Sequence, residues 1–322
     1  RIIKFSLILT LSIIIAISLD NNFIYPCIVY LTSLLDNKAN TSFYIIHILI
    51  NNSTTINSIN KINKIKEKFG NHLVEFNYYN LNNDFKGARI NKYFPITTYY
   101  RISLSSLLPD IDKIIYSDID AINLEDLTEL YNIQFKEKIY FCAVLDESYM
   151  IKELKKLGIP TNKYINAGFL LMNLKAIRKD GIEAKIRNFI ETHYLSSFDQ
   201  TAINAVCYDN LQILPPKYSI FANDFINKLV NLNNKQNNLY RFNKSEINRA
   251  FKEPTFFHYY NGHKPWRKNY LQFNRVYWWY YAKMSGFYQE IINHYKFNIN
   301  SIEKLLKKIP KDGGLLKRNY KI

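Results

Sequence analysis

"KIIYSDIDAI", residues 113–122, joins an apolar run to two aspartates separated by one residue. The run predicts a buried β-strand, and the chain becomes apolar again directly after Asp120. Successive side chains of an extended segment point to opposite faces, so Asp118 and Asp120 project together while Ile119 points the other way. Two neighbouring carboxylates repel each other unless a cation lies between them. The stretch therefore predicts a divalent-metal site with coordination positions left for phosphate oxygens.

Two other interpretations of the aspartate pair remain open on this stretch alone. Asp is also a common capping residue of the turn or helix that follows a strand. An aspartate after an apolar strand is also typical of phosphatase-type nucleophiles, but those usually have Thr or Gly just after the pair, and here Ala121 and Ile122 follow.

The rest of the chain alternates between helix and strand patterns, which favours a parallel α/β sheet with covered faces. The predicted strands are 12–18, 42–50, 72–78, 112–117 and 138–146, and the predicted helices are 24–35, 53–69 and 98–107. Ligands of such sheets bind outside the carboxyl ends of the strands. Three of those ends are polar, at Asp20-Asn21-Asn22, Asp118-Ile119-Asp120 and Asp146-Glu147. We therefore expect one site at this edge.

Composition and charge set the class of protein. The 322 residues are 48% hydrophobic and 16% aromatic, which excludes a disordered chain and supports one large core with a small appendage. The net charge of +16 indicates an anionic partner, and residues 264–322 supply +10 of it. Three cysteines without CxxC spacing argue against a disulfide framework and a zinc site, and favour a reducing compartment.

The N-terminal run "RIIKFSLILTLSIIIAIS", residues 1–18, fits either a signal peptide or membrane anchor, or a buried strand. It continues into "LDNNFIYP" without a cleavage site, and its β-branched end favours a strand over 12–18. Residues 1–11 stay open between a strand extension and an anchor.

Further motifs follow the aspartate pair in a fixed order. They are "YINAGFLLMNLKAIR" (164–178), "SSFDQTAIN" (196–204), "PPKYSIFAN" (215–223) and "FFHYYNGHKPW" (256–266), and "LDNNF" (19–23) and "FPITTYYRISLSSLLP" (94–109) precede it. With this set in this order, the chain resembles the bacterial glycosyltransferases of family 8, which add galactose or glucose to lipopolysaccharide. The resemblance covers roughly residues 12–270.

The resemblance implies a GT-A catalytic domain over 12–270, with a Rossmann-like, mostly parallel sheet flanked by helices. It implies a UDP-hexose donor, a saccharide acceptor such as lipopolysaccharide or another lipid-linked glycan, and transfer with retention of configuration. It also implies Mn²⁺ as cofactor, with Mg²⁺ as the alternative, held by Asp118, Asp120 and His258. Two hard oxygen ligands with one imidazole suit Mn²⁺ better than Mg²⁺.

The resemblance also assigns roles to individual residues. Lys264 matches a lysine that contacts the leaving diphosphate, and Gly262 lets the backbone approach a phosphate. Asp199 and Gln200 resemble the pair beneath the reacting carbon. The other donor-contacting positions are Asp20, Asn21 and Asn22 around uridine, Ile119 between the aspartates, Arg101, Asp146, and the hexose-facing turn Asn166, Ala167 and Gly168.

Alternatives to these roles remain. Many relatives carry a second Asp where this chain has Asn21, so that match is looser. A helix cap for Asp199, a turn for 166–168 and a surface salt bridge for Arg101 are the structural interpretations.

The C-terminal extension, residues 271–322, is dense in rings and lysines. Tyr277, Tyr280, and Tyr281 or Met284 fit a helix stripe that packs on the catalytic domain. Lysines interleaved with apolar residues fit contact with an anionic membrane surface, and so a cytoplasmic enzyme peripheral on the inner face of the cytoplasmic membrane.

Two other functions stay open. One is an inactive relative that binds UDP-sugar without turnover. The other is a nucleic-acid-binding protein whose tail stacks bases, although no RNP, KH or helix-turn-helix signature is present, and we expect no nucleic-acid partner.

Overall fold

The computed structural model describes most of the chain. The described residues are 11–70, 73–90, 95–146, 155, 157–158, 163–195, 197–221, 242, 244–259, 264–268 and 274–307. The N-terminal segment 1–10, Gly262 and the basic segment 308–322 lie outside them, so the expectations for those positions stay predictions.

Strands and helices alternate along the described chain. The strands are β1 (Leu11–Ser18), β2 (Ser42–Ile50), β3 (Val74–Asn80), β4 (Lys113–Ser117), β5 (Ala121–Asn123), β6 (Phe141–Ala143), β7 (Phe169–Asn173), β8 (Leu211–Ile213), β9 (Ile220–Phe221) and β10 (Phe256–His258). The α-helices are α1 (Ile24–Asp36), α2 (Ile56–Ile65), α3 (Leu104–Leu107), α4 (Thr128–Tyr131), α5 (Leu174–Lys179), α6 (Ile182–Thr192), α7 (Phe198–Cys207), α8 (Lys244–Lys252), α9 (Arg275–Met284), α10 (Tyr288–Tyr295) and α11 (Ile299–Leu306). Single 3₁₀ turns and longer 3₁₀ segments lie at Asn21–Phe23, Ile96–Ser103, Tyr208–Asn210 and Pro216–Tyr218.

The central sheet has seven strands in the order β3-β2-β1-β4-β7-β6-β8. All neighbouring pairs run parallel except the two that involve β7, which is antiparallel to β4 and β6. The chain builds β1, β2 and β3 outward in one direction and then places β4 on the other side of β1, so the strand order switches between β1 and β4. Ile17 pairs with Ser117, which brings Asp20 and Asp118 past the same edge of the sheet at this switch point. This confirms the mostly parallel sheet with flanking helices.

A second, three-stranded sheet has the order β5-β10-β9. β10 runs antiparallel to β5 and places His258 opposite Ala121, the residue that follows Asp120. The backbone N–H of Tyr259 donates to the Asp120 carbonyl at 2.9 Å, which continues the pairing by one residue. This small sheet brings a histidine from the far end of the domain to the aspartate pair.

The core lies on both faces of the central sheet. On β1, Ile13, Ile15 and Ile17 belong to one buried cluster, and Ala16 belongs to the cluster on the opposite face. A strand covered on both sides has no polar alternation, which explains its continuous apolar sequence.

Three predicted elements differ from the structure. The predicted helix 53–69 is α2, Ile56–Ile65, followed by a π-helical turn, Lys66–Gly70. The predicted helix 98–107 is a 3₁₀ helix, Ile96–Ser103, followed by the single turn α3. The predicted strand 138–146 keeps only Phe141–Ala143, because Lys138 has a φ of 62° and the extended ladder does not reach it.

The extension begins with α9, which packs against α1. Trp278 and Trp279 have no exposed surface, and Tyr281 is 1% exposed. These rings belong to the same buried cluster as β1. Rings in this position are not available to a lipid surface. Of the predicted stripe, Tyr277 and Tyr281 are buried, whereas Tyr280 and Met284 are half-buried and pack against that cluster. Within the part of the chain that the structure describes, no helix has the length and apolarity needed to cross a bilayer.

Candidate metal and donor site

Asp118, Asp120 and His258 converge outside the carboxyl end of β4. One ligand atom from each lies within 4.8 Å of the others. His258 Nε2 is 3.1 Å from Asp120 Oδ1 and 3.8 Å from Asp118 Oδ2. Ile119 is 4% exposed and packs into the core, so the two carboxylates share a side as the strand alternation predicts. Two carboxylates and one imidazole within this span fit a divalent metal ion.

Lys264 and His258 both contact Asp120. Burial opposes ionisation of Asp120, but Lys264 and His258 outweigh it and hold the pKa of Asp120 well below its usual range. The ammonium of Lys264 donates to Asp120 Oδ2 and, at 2.7 Å, to the carbonyl of Tyr259. Burial raises the pKa of Asp118, against the attraction of Arg101 and with a further contribution from the charge of Asp120. A metal ion between the carboxylates would remove that last repulsion.

Gly168 lies directly behind Asp118, Asp120 and His258, which we call the candidate metal triad. The N–H of Asp118 donates to the Gly168 carbonyl at 2.7 Å, which ties the strand end to the turn before β7. A Cβ at Gly168 would collide with His258 Cε1, and would lie 2.8 Å from Asp118 Oδ2 and 2.9 Å from Asn166 Oδ1. Space therefore restricts this position to glycine.

Arg101 connects the aspartate pair to the same turn. Its Nε donates to the Thr98 carbonyl at 3.0 Å, its Nη2 to Asp118 Oδ1 at 2.9 Å and its Nη1 to the Ala167 carbonyl. The guanidinium is almost completely buried and stacks 4.4 Å from the centre of the Tyr116 ring. The surface-salt-bridge interpretation of Arg101 is therefore wrong. Its partners here are protein groups, so a contact with the donor is a separate proposal.

A closed network of side-chain amides lies beside the turn. Gln200 Oε1 accepts from Asn166 Nδ2 at 3.1 Å and from the Ala167 N–H at 3.0 Å. Gln200 Nε2 and Asn166 Nδ2 both donate to Asp146 Oδ2, at 2.9 and 3.0 Å. Asn166 Oδ1 accepts the Gly168 N–H at 2.9 Å. Because a backbone N–H can only donate, the bond from Ala167 fixes which end of the Gln200 amide is oxygen.

Asp199 lies at the start of α7, 2% exposed. Its Oδ2 is 2.9 Å from Arg101 Nε, and its carboxylate also accepts backbone N–H groups at the beginning of the helix. Burial raises the pKa of Asp199 to about 6, against Arg101 and with help from the charge of Asp118. Ser197 is the N-cap residue of α7, so Asp199 is not the predicted helix cap; it lies in the first turn and belongs to the buried charge cluster.

The residues after β1 reach the same edge but make local contacts. Asp20 is 8% exposed and its Oδ1 accepts the Asn22 N–H at 2.8 Å. Asn21 is exposed, and its Oδ1 accepts the Ser58 hydroxyl at 2.7 Å, which links it to α2. Asn22 is exposed. These side chains contact neither the candidate metal triad nor the amide network in the contacts that the described residues make.

Two residues that sequence reasoning did not assign support the site. The Tyr116 hydroxyl forms a hydrogen bond with the Ser18 hydroxyl at 2.7 Å and donates to Asp118 Oδ1 at 3.2 Å. The guanidinium of Arg101 stacks on the Tyr116 ring. Asn204 accepts the Ile165 N–H at 2.7 Å and donates to the Ile165 carbonyl at 2.9 Å, so it fixes the chain just before Asn166. The sequence held one signal for each residue: Tyr116 is a tyrosine inside an apolar strand, and Asn204 is an amide on the buried face of a helix.

The switch-point sheet with its single antiparallel strand β7, and the candidate metal triad outside β4, define a protein of the GT-A fold. The structure is similar to that of the galactosyltransferase LgtC in complex with donor and acceptor sugar analogues, with a TM-score of 0.70, 20% identity, and coverage of 85% of this chain and 95% of that chain. The bifunctional glycosyltransferase WbbM gives a TM-score of 0.72 at 18% identity over 88% of this chain and 51% of that chain. These two likenesses show the fold.

The chain belongs to glycosyl transferase family 8, whose sequence model matches residues 14–270. General stress protein A of Bacillus subtilis strain 168 is 32% identical over 178 residues, which are 53% of this chain and 59% of that protein. A putative glycosyltransferase of Haemophilus influenzae is 27% identical over 190 residues, 57% of this chain and 55% of that protein. The chain thus spans less than two thirds of the length of these curated relatives. The predicted family and fold are confirmed.

Proposed function

We propose that this chain transfers a hexose, galactose or glucose, from a UDP-sugar to a saccharide acceptor with retention of anomeric configuration. The observation that carries the proposal is the triad of Asp118, Asp120 and His258 with the Lys264 ammonium beside it. A diphosphate leaving group needs positive charge at the point where its bond to the sugar breaks, and a metal site with an adjacent lysine supplies that charge.

Asp118, Asp120 and His258 would hold the metal, and we assign Mn²⁺ from the mixed oxygen and nitrogen donor set, with Mg²⁺ as the alternative. When bound, the metal would neutralise the diphosphate oxygens. Lys264 would contact the same diphosphate, and Gly262 would allow the backbone to approach it. Asp20, Asn21 and Asn22 are assigned to the uridine end.

The amide network is assigned to the sugar side. Gln200, Asp146 and Asn166 hold one another in place, and their orientation is fixed by the backbone of Ala167 and Gly168. Asp199 is ionised above about pH 6, and Arg101 balances part of its charge. We assign Asp199 and Gln200 to the stabilisation of positive charge that develops at the anomeric carbon, and Arg101 and the backbone at Ile119 to donor contacts.

The acceptor assignment rests on similarity and charge. A lipopolysaccharide 1,2-glucosyltransferase of Escherichia coli is 26% identical over 134 residues, 39% of this chain. Residues 264–322 carry 13 Lys and Arg against 3 Asp and Glu, and Lys296, Lys304 and Lys307 are exposed. We propose a lipid-linked glycan as acceptor, such as lipopolysaccharide, and a peripheral position on the inner face of the cytoplasmic membrane.

A donor screen tests the proposal. Purified protein is incubated with UDP-glucose, UDP-galactose and UDP-N-acetylhexosamines, with and without Mn²⁺, and released UDP is measured by mass spectrometry. We expect Mn²⁺-dependent release with a UDP-hexose, and none with Asp120→Asn. Binding of a UDP-sugar in calorimetry without UDP release, with or without acceptor, would show instead an inactive donor-binding relative.

A further inference from the structure

We infer that Arg275, the first residue of α9, is a positioning residue for Lys264. The extension after residue 270 would then set the location of the ammonium that neutralises Asp120. The inference rests on the proposed function only where it links the location of Lys264 to turnover.

Lys264 is the first residue of a short turn, and side chains from outside the turn donate hydrogen bonds to its carbonyls. The Arg267 N–H donates to the Lys264 carbonyl at 2.9 Å, which closes the turn. The Pro265 carbonyl accepts Arg275 Nε at 2.9 Å and Trp279 Nε1 at 3.2 Å, and the Arg267 carbonyl accepts Arg275 Nη2 at 3.2 Å. One guanidinium therefore holds two carbonyls of the turn, at the residue after Lys264 and two residues further on.

Arg275 is itself held in a fixed position. Its guanidinium lies 4.7 Å from the centre of the Phe297 ring, and the same ring packs edge-on against Trp279 at 5.0 Å. Trp279 is fully buried. A planar guanidinium stacked on an aromatic ring loses little freedom when it donates to two acceptors, whereas a lysine amine has no such geometry.

The other end of this segment is also attached to the start of α9. The hydroxyl of Tyr259 donates to the carbonyl of Asn274 at 3.0 Å, and the Tyr259 carbonyl accepts the Lys264 ammonium. Asn274 thus holds Tyr259, whose carbonyl accepts the Lys264 ammonium. Arg275 holds the turn that contains the backbone of Lys264. Supporting groups of this kind determine how precisely a charged side chain is placed.

The first test measures the location of Lys264 without any substrate. Acetylation rates of individual lysines are followed by mass spectrometry in the full chain, in Arg275→Ala, in Arg275→Lys and in the control Lys283→Ala, which removes a charge from the same helix where it pairs with Glu303. Lys113, the first residue of β4, whose ammonium donates to the carbonyls of Tyr131 and Ile133, reports global unfolding.

We expect Lys264 to react slowly in the parent protein and in Lys283→Ala. Its rate should rise roughly fivefold or more in Arg275→Ala, the change that loss of one hydrogen bond produces, and by an intermediate factor in Arg275→Lys. The Lys113 rate should stay constant. Equal acceleration of both lysines would mean that Arg275 only stabilises the fold, and an unchanged Lys264 rate would also overturn the inference.

The second test is a double-mutant cycle on donor hydrolysis. Arg275→Ala should lower kcat more than it raises KM, and this loss should vanish when Lys264 is already alanine, because the two residues then act as one unit. Additive losses would show that Arg275 affects turnover by another route and would overturn the inference. If the labelling result holds but the parent protein releases no UDP from any donor, the proposed function fails while the structural role of Arg275 stands.

Discussion

Gly168→Ala adds one methyl group at the back of the candidate metal triad, where the structure has no room for it. The added Cβ would meet the carboxylate of Asp118, the ring of His258 and the amide of Asn166, all closer than 3.0 Å. None of these neighbours can simply swing away, because Asp118 is held by Arg101 and Asn166 by Asp146 and Gly168 itself. The methyl must therefore displace Asp118 and His258, two of the proposed metal ligands.

The displacement can be estimated from contact distances. Nonbonded carbon contacts are comfortable at about 3.5 Å, so the 2.8 Å separation from Asp118 Oδ2 requires a shift of about 0.7 Å. Metal–ligand distances tolerate only about 0.2 Å. We expect metal affinity to fall at least 10–100-fold, and donor hydrolysis to fall on the order of 100-fold. Overpacking should also cost about 1–3 kcal/mol of stability.

Calorimetric titration with Mn²⁺ measures the affinity, and urea unfolding measures the stability. Gly181→Ala is the matched control, since that glycine has a φ of 64° and no neighbour within 4 Å of an added Cβ. It should lose about 1–2 kcal/mol from left-handed strain and keep full metal affinity. Parental Mn²⁺ affinity in Gly168→Ala would refute the assignment of this turn to the metal site.

Four further outcomes follow from the described contacts and from the charge pattern of the tail. Asp118→Ala and Asp120→Ala should each abolish Mn²⁺-dependent donor hydrolysis with the fold retained by circular dichroism, and full activity in either would contradict the metal assignment. Lys264→Ala should lower kcat on the order of 10²-fold, whereas a change in KM alone would remove its role in the transition state. Burial raises the pKa of Asp199 to about 6, so the folded state binds the carboxyl proton of Asp199 more tightly than the unfolded chain does. This proton binding contributes fully to the free energy of unfolding below about pH 4, and the contribution is lost as the pH rises to 6. Urea unfolding of the metal-free protein should show this decline in the free energy of unfolding, and the Asp199→Asn variant should not. Parallel pH profiles of the two proteins would contradict the raised pKa of Asp199. Deletion of 308–322, which removes five of the basic residues, should weaken flotation with anionic liposomes at low salt and leave hydrolysis intact, and unchanged flotation would exclude this segment as the anchor.

The strands nearest the site were predictable because their signals are local. β1 and β4 are apolar runs buried on both sides, and the two aspartates after β4 follow the strand alternation. The lost first residues of the 138–146 strand were not predictable, since the positive φ of Lys138 depends on the tertiary path of the loop rather than on its own sequence.

The rest of the site depends on long-range pairing. His258 reaches Asp120 across 138 positions through strands of only three residues, which carry no periodic pattern. Motif resemblance identified it, and spacing alone would not have done so. Rings in the extension gave an ambiguous signal for a different reason: Trp278 and Trp279 suit a bilayer interface and a protein core equally well by composition, and only packing against α1 distinguishes the two.

The pairing of β5 with β10 also sets the order in which the protein becomes competent during synthesis. By residue 213 the ribosome has delivered all seven strands of the central sheet, yet His258, the third proposed metal ligand, arrives 45 residues later, and α9 after that. At about 5–20 residues per second, the nascent chain spends some seconds with Asp118 and Asp120 synthesised and His258 still missing. A product truncated before β10 would lack His258 and also the rings of β10 and α9 that complete the buried cluster around α1, so quality control that recognises exposed apolar surface would act on the uncovered face of α1.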